Sequence, residues 1–251
     1  CRHCSRWYPI RAGLPELLPV ALRDDEAEMT WATALTGAEM GPPFGVEAPA
    51  ADSGLKYKRA EMAVASRNLP EGFFETARVA PFYALRTEFD LDLLLRFATT
   101  VQKIPAGHNG LILDLGVGTA WTSEWLLRLG YRVIGIDITR DYLLAGLPRM
   151  QGNLPHLIVA DVENLPLRSA IFDGVLSFDS FHHVPNRSRA LREIARVMQP
   201  GTTMAFVEPG KAHENHPISI AVMEQHGILE VGFDTNDLKG YIEGSDLTDV
   251  R

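Results

Sequence analysis

The stretch Leu113-Asp114-Leu115-Gly116-Val117-Gly118-Thr119-Ala120-Trp121 decides the fold. Leu111–Leu115 is a short apolar run of strand length broken by one acid, and the glycines after it lead into an amphipathic stretch holding Trp121, Trp125, Leu126 and Leu129. A strand, a glycine turn and a helix in that order make the first half of a crossover unit, and the glycines let the backbone pass close to a ligand. The charge at the turn narrows the ligand class. Asp114 repels a pyrophosphate and attracts an ammonium group, and Trp121 stands where a dinucleotide fingerprint needs its third glycine.

Working outward, short apolar runs recur between helical stretches. Val133–Asp137, Leu157–Asp161, Val175–Phe178 and Met204–Glu208 read as further strands, and Leu191, Ile194, Ala195 and Met198 mark a helix before the last of them. The pattern predicts an α/β fold: a doubly wound, mostly parallel sheet with helices on both faces. In such sheets the carboxyl ends of the strands form the ligand crevice. Asp137 ends the second strand 19 residues after Gly118, where a carboxylate accepts hydrogen bonds from ribose hydroxyls. Asp161 ends the third strand and is followed by Val162, giving an acceptor for an adenine amino group and a backbone N–H for the ring. Each aspartate alone reads as a helix or turn cap; three strand-end acids at these spacings read as a set that binds an adenosine-containing cofactor.

These segments, with Gly135-Ile136-Asp137, Ala160-Asp161-Val162-Glu163-Asn164-Leu165-Pro166, Phe172-Asp173-Gly174-Val175 and Arg196-Val197-Met198-Gln199-Pro200-Gly201, resemble class I methyltransferases over about two fifths of the chain. The resemblance implies S-adenosylmethionine as cofactor. Asp114 and Gly116, with Gly118 and Thr119 of the same turn, would hold its methionine end, Asp137 with Ile138 the ribose, and Asp161 with Val162 the adenine. Phe178 would lie beside the methionine amine. The family's third motif glycine is Ala120 here, and the tail after Pro209 lacks the antiparallel strand pair that closes the family's sheet.

Cys1 and Cys4 are the two cysteines of the chain, and the segment from Cys1 to Leu18 is similar to the second half of a small zinc ribbon associated with methyltransferases. Structural zinc takes four ligands. The half site is expected to be empty in this chain and completed by zinc only in a longer one, since the sequence starts at cysteine and not methionine. The expected organisation is a ribbon-like remnant over residues 1–22, a Pro- and Gly-rich linker over 23–54, a helical cap over 55–104 in which Asp90 caps a helix carrying Leu91, Leu94, Leu95 and Ala98, and the Rossmann-like domain over 105–251.

The net charge is -8, from 24 basic and 32 acidic residues, with no basic stretch to follow a phosphate backbone, so nucleic acid is disfavoured and a small-molecule, glycan-precursor or lipid-precursor acceptor is expected. No apolar run approaches the roughly 20 residues that cross a bilayer, and the N-terminus lacks signal-peptide order, so the cytoplasm is the expected default location. Methyl transfer from a sulfonium needs alignment more than catalytic groups. His182 and His183, after the fourth strand, are the candidates for a general base or acceptor-positioning group, with Asp179, Glu208 and Tyr83 nearby in the expected site. Phe181 and Trp121 read as core or cofactor wall. The competing readings are an RNA or protein methyltransferase, an inactive partner subunit, against which the intact acids argue, and a nicotinamide oxidoreductase, which Asp114 and Trp121 disfavour.

Overall fold

The computed structural model describes residues 8–23, 54–63, 72, 75, 79–81, 87–150 and 156–250. Cys1, Cys4, Tyr83 and nearly all of the expected 23–54 linker lie outside them.

Strand β1 (Ile10–Arg11) pairs antiparallel with β2 (Leu14–Pro15). Helices α1 (Leu55–Met62) and α2 (Thr87–Val101) precede the sheet strands β3 (Leu111–Leu115), β4 (Arg132–Asp137), β5 (His156–Val159), β6 (Phe172–Phe178) and β7 (Met198–Val207). Helix α3 (Trp121–Arg128) joins β3 to β4, α4 (Arg140–Gly146) joins β4 to β5, and α5 (Arg187–Val197) joins β6 to β7. The tail adds α6 (Pro217–His226) and α7 (Thr235–Tyr241).

All sheet pairings are parallel, in the order β5-β4-β3-β6-β7. The chain winds outward from β3 through β4 to β5, then crosses to β6 on the other side of β3. This is a doubly wound sheet with its switch point beside β3, where a ligand crevice opens. The register carries the consequence: Leu115 pairs Ile136 and Ser177, and Asp137 pairs Val159. The residues just past β3, β4, β5 and β6 therefore come out at one edge.

Alternation along the strands divides the core. Leu113, Leu115 and Val175 meet Ala190, Leu191, Ile194 and Val197 of α5 on one face. Ile112, Val133 and Leu176 meet Leu93, Phe97 and Val101 of α2 and Trp121 and Leu126 of α3 on the other. Side chains sealed on both faces explain why these strands read as unbroken apolar runs.

Two local expectations differ from the structure. Asp90 lies inside α2 and is buried, and the inward stripe is Leu93, Phe97 and Val101, while Leu91 and Leu95 face solvent. The helix carries apolar residues on more than one face, and the sheet selects one. The third strand ends at Val159, so Asp161 sits one residue beyond its following Ala160. In the tail, Gly227 at a left-handed φ of 67° stops α6. Residues 228–234 then run without regular secondary structure and bury Phe233 against Phe181 and Phe206. No strand follows β7 among the described residues.

The N-terminal segment packs on the same core. Leu14, Leu18 and Leu22 are buried with Val117, Leu143, Leu157 and Val159. Leu17 N donates to Val159 O at 2.8 Å, and Glu16 bridges Val159 in parallel, so this segment covers the β5 edge.

Candidate functional site

The carboxyl ends of β3, β4, β5 and β6 surround a cavity of about 540 Å³. Gly116 and Gly118 form its floor, both with positive φ, 62° and 51°. A Cβ on Gly116 would stand 2.3 Å from Ser180 Cβ, whereas one on Gly118 would meet nothing within 4 Å. The first glycine is demanded by protein packing; the second leaves open space above the turn.

Asp137 lines the cavity from the end of β4. Its Oδ2 accepts from Gly118 N at 2.8 Å and its Oδ1 from Thr139 N at 2.7 Å, so it also holds the glycine turn in shape. Burial raises its pKa against these bonds. Asp161 is on the wall beside Val162 and caps the 162–164 turn, accepting from Glu163 N at 3.0 Å. Its Oδ2 also takes Asn164 Nδ2 at 2.7 Å and Lys58 Nζ at 3.0 Å. Lys58 reaches in from α1 and bonds Glu163 Oε2 at 2.7 Å as well.

Asp114 takes a different position from the expected one. It does not line the cavity: Oδ2 accepts from Thr122 Oγ1 at 2.7 Å and Ser123 Oγ at 2.6 Å in the first turn of α3. Its Oδ1 is buried with no partner, and burial lifts the pKa to about 7. Thr119 is buried in the turn and also off the wall, while Ile138 is on it. Phe178 is off the cavity wall. It packs against Trp121 and Phe97 at ring distances of 5.1 and 6.3 Å, because alternation puts it on the α2–α3 face with Leu176.

The two histidines separate. His182 is buried off the wall, with Nδ1 2.8 Å from Glu208 Oε2. His183 lines the cavity, and its Nδ1 lies 2.6 Å from Leu229 O. A carbonyl only accepts, so His183 Nδ1 carries the proton and Nε2 keeps a lone pair. Burial, then the neighbouring His182, pushes the His183 pKa down to about 4. Glu208 caps the 181–183 turn, accepting from Phe181 N at 2.8 Å and Ser177 Oγ at 3.0 Å. Asp179, at φ 54°, lines the cavity with its pKa raised by burial.

Lys58, Glu61, Ser180, Val222 and Glu230 are wall residues that the sequence reading did not single out. Ser180 buttresses the turn, donating to Leu115 O at 3.0 Å. Lys58 is one of four charged residues in the eight of α1, Leu55–Met62, and nothing near it in the sequence names its partners.

Residues 113–206 match the family described as a methyltransferase domain. The chain is similar to Methyltransferase GfsG from Streptomyces halstedii, 31% identical over 110 residues, which are 42% of this chain and 39% of that protein. It is also similar to a demethylmenaquinone methyltransferase from Roseiflexus sp. (strain RS-1), 30% identical over 129 residues, 48% of this chain and 51% of that one. The chain thus spans about half or less of the length of these curated relatives. The crystal structure of geranyl diphosphate C-methyltransferase from Streptomyces coelicolor A3(2) shares the fold, with a TM-score of 0.59 at 12% identity over 80% of this chain and 82% of that one. Residues 113–206 are thus similar in sequence to methyltransferase domains, and the chain shares the Rossmann-like fold of a solved methyltransferase.

Proposed function

We propose that this chain holds S-adenosylmethionine in the cavity and passes its methyl group to a small-molecule, glycan-precursor or lipid-precursor acceptor. One observation carries the reading: Gly116, Asp137 and Asp161, from three strand ends, face one cavity. The residues fit the cofactor. Gly116 cannot bear a Cβ, Gly118 opens onto space a ligand can fill, and Asp114 offers a buried oxygen without a partner just behind the turn.

In this reading Asp137 accepts the ribose hydroxyls, Asp161 with Val162 receives the adenine edge, and the turn at Gly116–Gly118 supports the methionine end. The bound cofactor supplies a methyl already activated by its sulfonium, so the chain's task is alignment. His183, Asp179 and Glu230 line the acceptor side. With Nδ1 held by Leu229 and its pKa low, His183 presents a neutral Nε2 that accepts a hydrogen bond from the acceptor and orients its lone pair. It is a positioning group more than a proton sink, because a base works best with a pKa near the working pH. His182 supports it from behind at 3.9 Å between rings.

The charge of -8 favours a small acceptor over RNA. Cys1 and Cys4 belong, in this reading, to a zinc knuckle completed by a cysteine pair in a longer chain. The test is a screen of small-molecule, glycan-precursor and lipid-precursor acceptors with methyl-labelled cofactor. Label transfer that is abolished in Asp137→Ala supports the proposal, and transfer to RNA or protein alone would move it to the other acceptor class.

A further inference from the structure

We propose that His182, His213 and Glu230 form a site for one divalent transition-metal ion of the zinc type, at the wall of the same cavity. His182 comes from the turn after β6, His213 from the turn at 213–215 after β7, and Glu230 from the tail. His213 Nε2 lies 2.8 Å and His182 Nε2 3.6 Å from the same oxygen, Glu230 Oε2. The three ligand atoms all lie within 4.8 Å of one another. With metal–ligand bonds of about 2.0–2.1 Å in a tetrahedron, ligand atoms stand about 3.3 Å apart, so shifts well under the length of a bond close the set around an ion.

The surroundings point the same way. Glu208 Oε2 lies 2.8 Å from His182 Nδ1 and, as an acceptor, holds the proton there. The Nε2 lone pair of His182 is then turned toward the Glu230 carboxylate, two electron-rich atoms facing each other, which a cation between them resolves. A carboxylate gripping the far nitrogen of an imidazole is the usual support of a metal-bound histidine. Two imidazoles and one carboxylate suit zinc and its neighbours, whereas magnesium and calcium take oxygen sets. Three protein ligands leave a fourth position open for water or a ligand. Glu230 belongs to both the triad and the cavity wall, so a metal-held oxygen would stand at the acceptor side. That last role rests on the methyltransfer reading; metal binding does not.

The probe is zinc, then cobalt, titrated calorimetrically into chelator-stripped full chain carrying Cys1→Ser and Cys4→Ser, which removes the thiols. We expect one ion per chain, a cobalt spectrum without thiolate charge-transfer bands, and at least a tenfold loss of affinity in both His213→Ala and the near-isosteric Glu230→Gln. Absence of stoichiometric binding in the thiol-free parent, or unchanged affinity in Glu230→Gln, overturns the proposal and leaves the cluster a proton-linked hydrogen-bond network. Circular dichroism checks each variant's fold. S-adenosylhomocysteine titrated into the same thiol-free parent reports the cofactor site separately, so metal binding without cofactor binding sinks the functional reading alone, and the reverse result sinks only this one.

Discussion

Lys58 Nζ stands 3.0 Å from Asp161 Oδ2 and 2.7 Å from Glu163 Oε2, with all three side chains almost wholly buried. One cation from α1 thus neutralises two acids that follow β5, and ties α1 to the wall of the cavity. Desolvation raises the Glu163 pKa, and Lys58 opposes the rise.

Removing the cation leaves two buried carboxylates uncompensated, which costs about 3–5 kcal/mol. Lys58→Met is therefore expected to unfold at markedly lower denaturant at pH 8, with a deficit that shrinks toward pH 5, because burial raises the Glu163 pKa and eases its protonation. Adding Glu163→Gln should recover much of the loss. Urea titrations of the two variants at both pH values check this, and a Lys58→Met chain as stable as the parent would contradict the neutralising role.

Gly116 and Ser180 occupy space that only one side chain can hold. Gly116→Ala is expected to destabilise by about 1–3 kcal/mol through overpacking, with a further cost for a side chain at positive φ. Ser180→Gly in the same chain removes the overlap and should return part of that stability. Thermal unfolding of the single and double variants tests it; additive losses would show that the two positions do not share the space.

Asp114 makes the free protein's stability depend on pH. Its carboxyl goes from 3.8 to about 7 on folding, so the folded state binds the proton more tightly, and this contributes about 4 kcal/mol in full below the lower value. The contribution is lost as pH rises through about 7. Asp137, Glu163 and Asp179 shift the same way. The parent should weaken between pH 5 and pH 8, and Asp114→Asn should flatten that slope and exceed the parent at pH 8. Equal slopes in the two proteins would remove Asp114 as the source.

How far the sequence reached follows from where its signals lie. The glycine turn, Asp137 and Asp161 were legible because each is announced locally, by an apolar run and the residues that end it. The contact of Phe178 with the Trp121 face follows from alternation with Leu176 along β6. The inward face of α2 was not readable from periodicity, since Leu91, Leu94, Leu95 and Ala98 form as good a stripe as Leu93, Phe97 and Val101. Lys58 pairs across 103 residues with Asp161, and His213 meets Glu230 only because the aperiodic tail folds back; spacing carries neither contact.

For His183, the low pKa implies that no ionisation of this group falls between pH 6 and pH 8. With an acceptor from the labelled screen, His183→Phe should lower turnover at least tenfold, or raise the acceptor KM, while the pH profile keeps its shape. A parental inflection in that range that vanishes in the variant would make His183 a base of ordinary pKa instead.

Whether the cavity at the strand ends holds the cofactor is decided by calorimetric titration with S-adenosylhomocysteine. One molecule is expected to bind per chain, with an affinity lower by about 1.5–3 kcal/mol, roughly 10- to 150-fold, in Asp137→Ala, which loses a hydrogen bond to a charged acceptor. Thermal unfolding without ligand separates this loss from any loosening of the Gly118 turn. No binding to folded parent, or equal affinity in the folded Asp137→Ala variant, would contradict cofactor binding in this cavity.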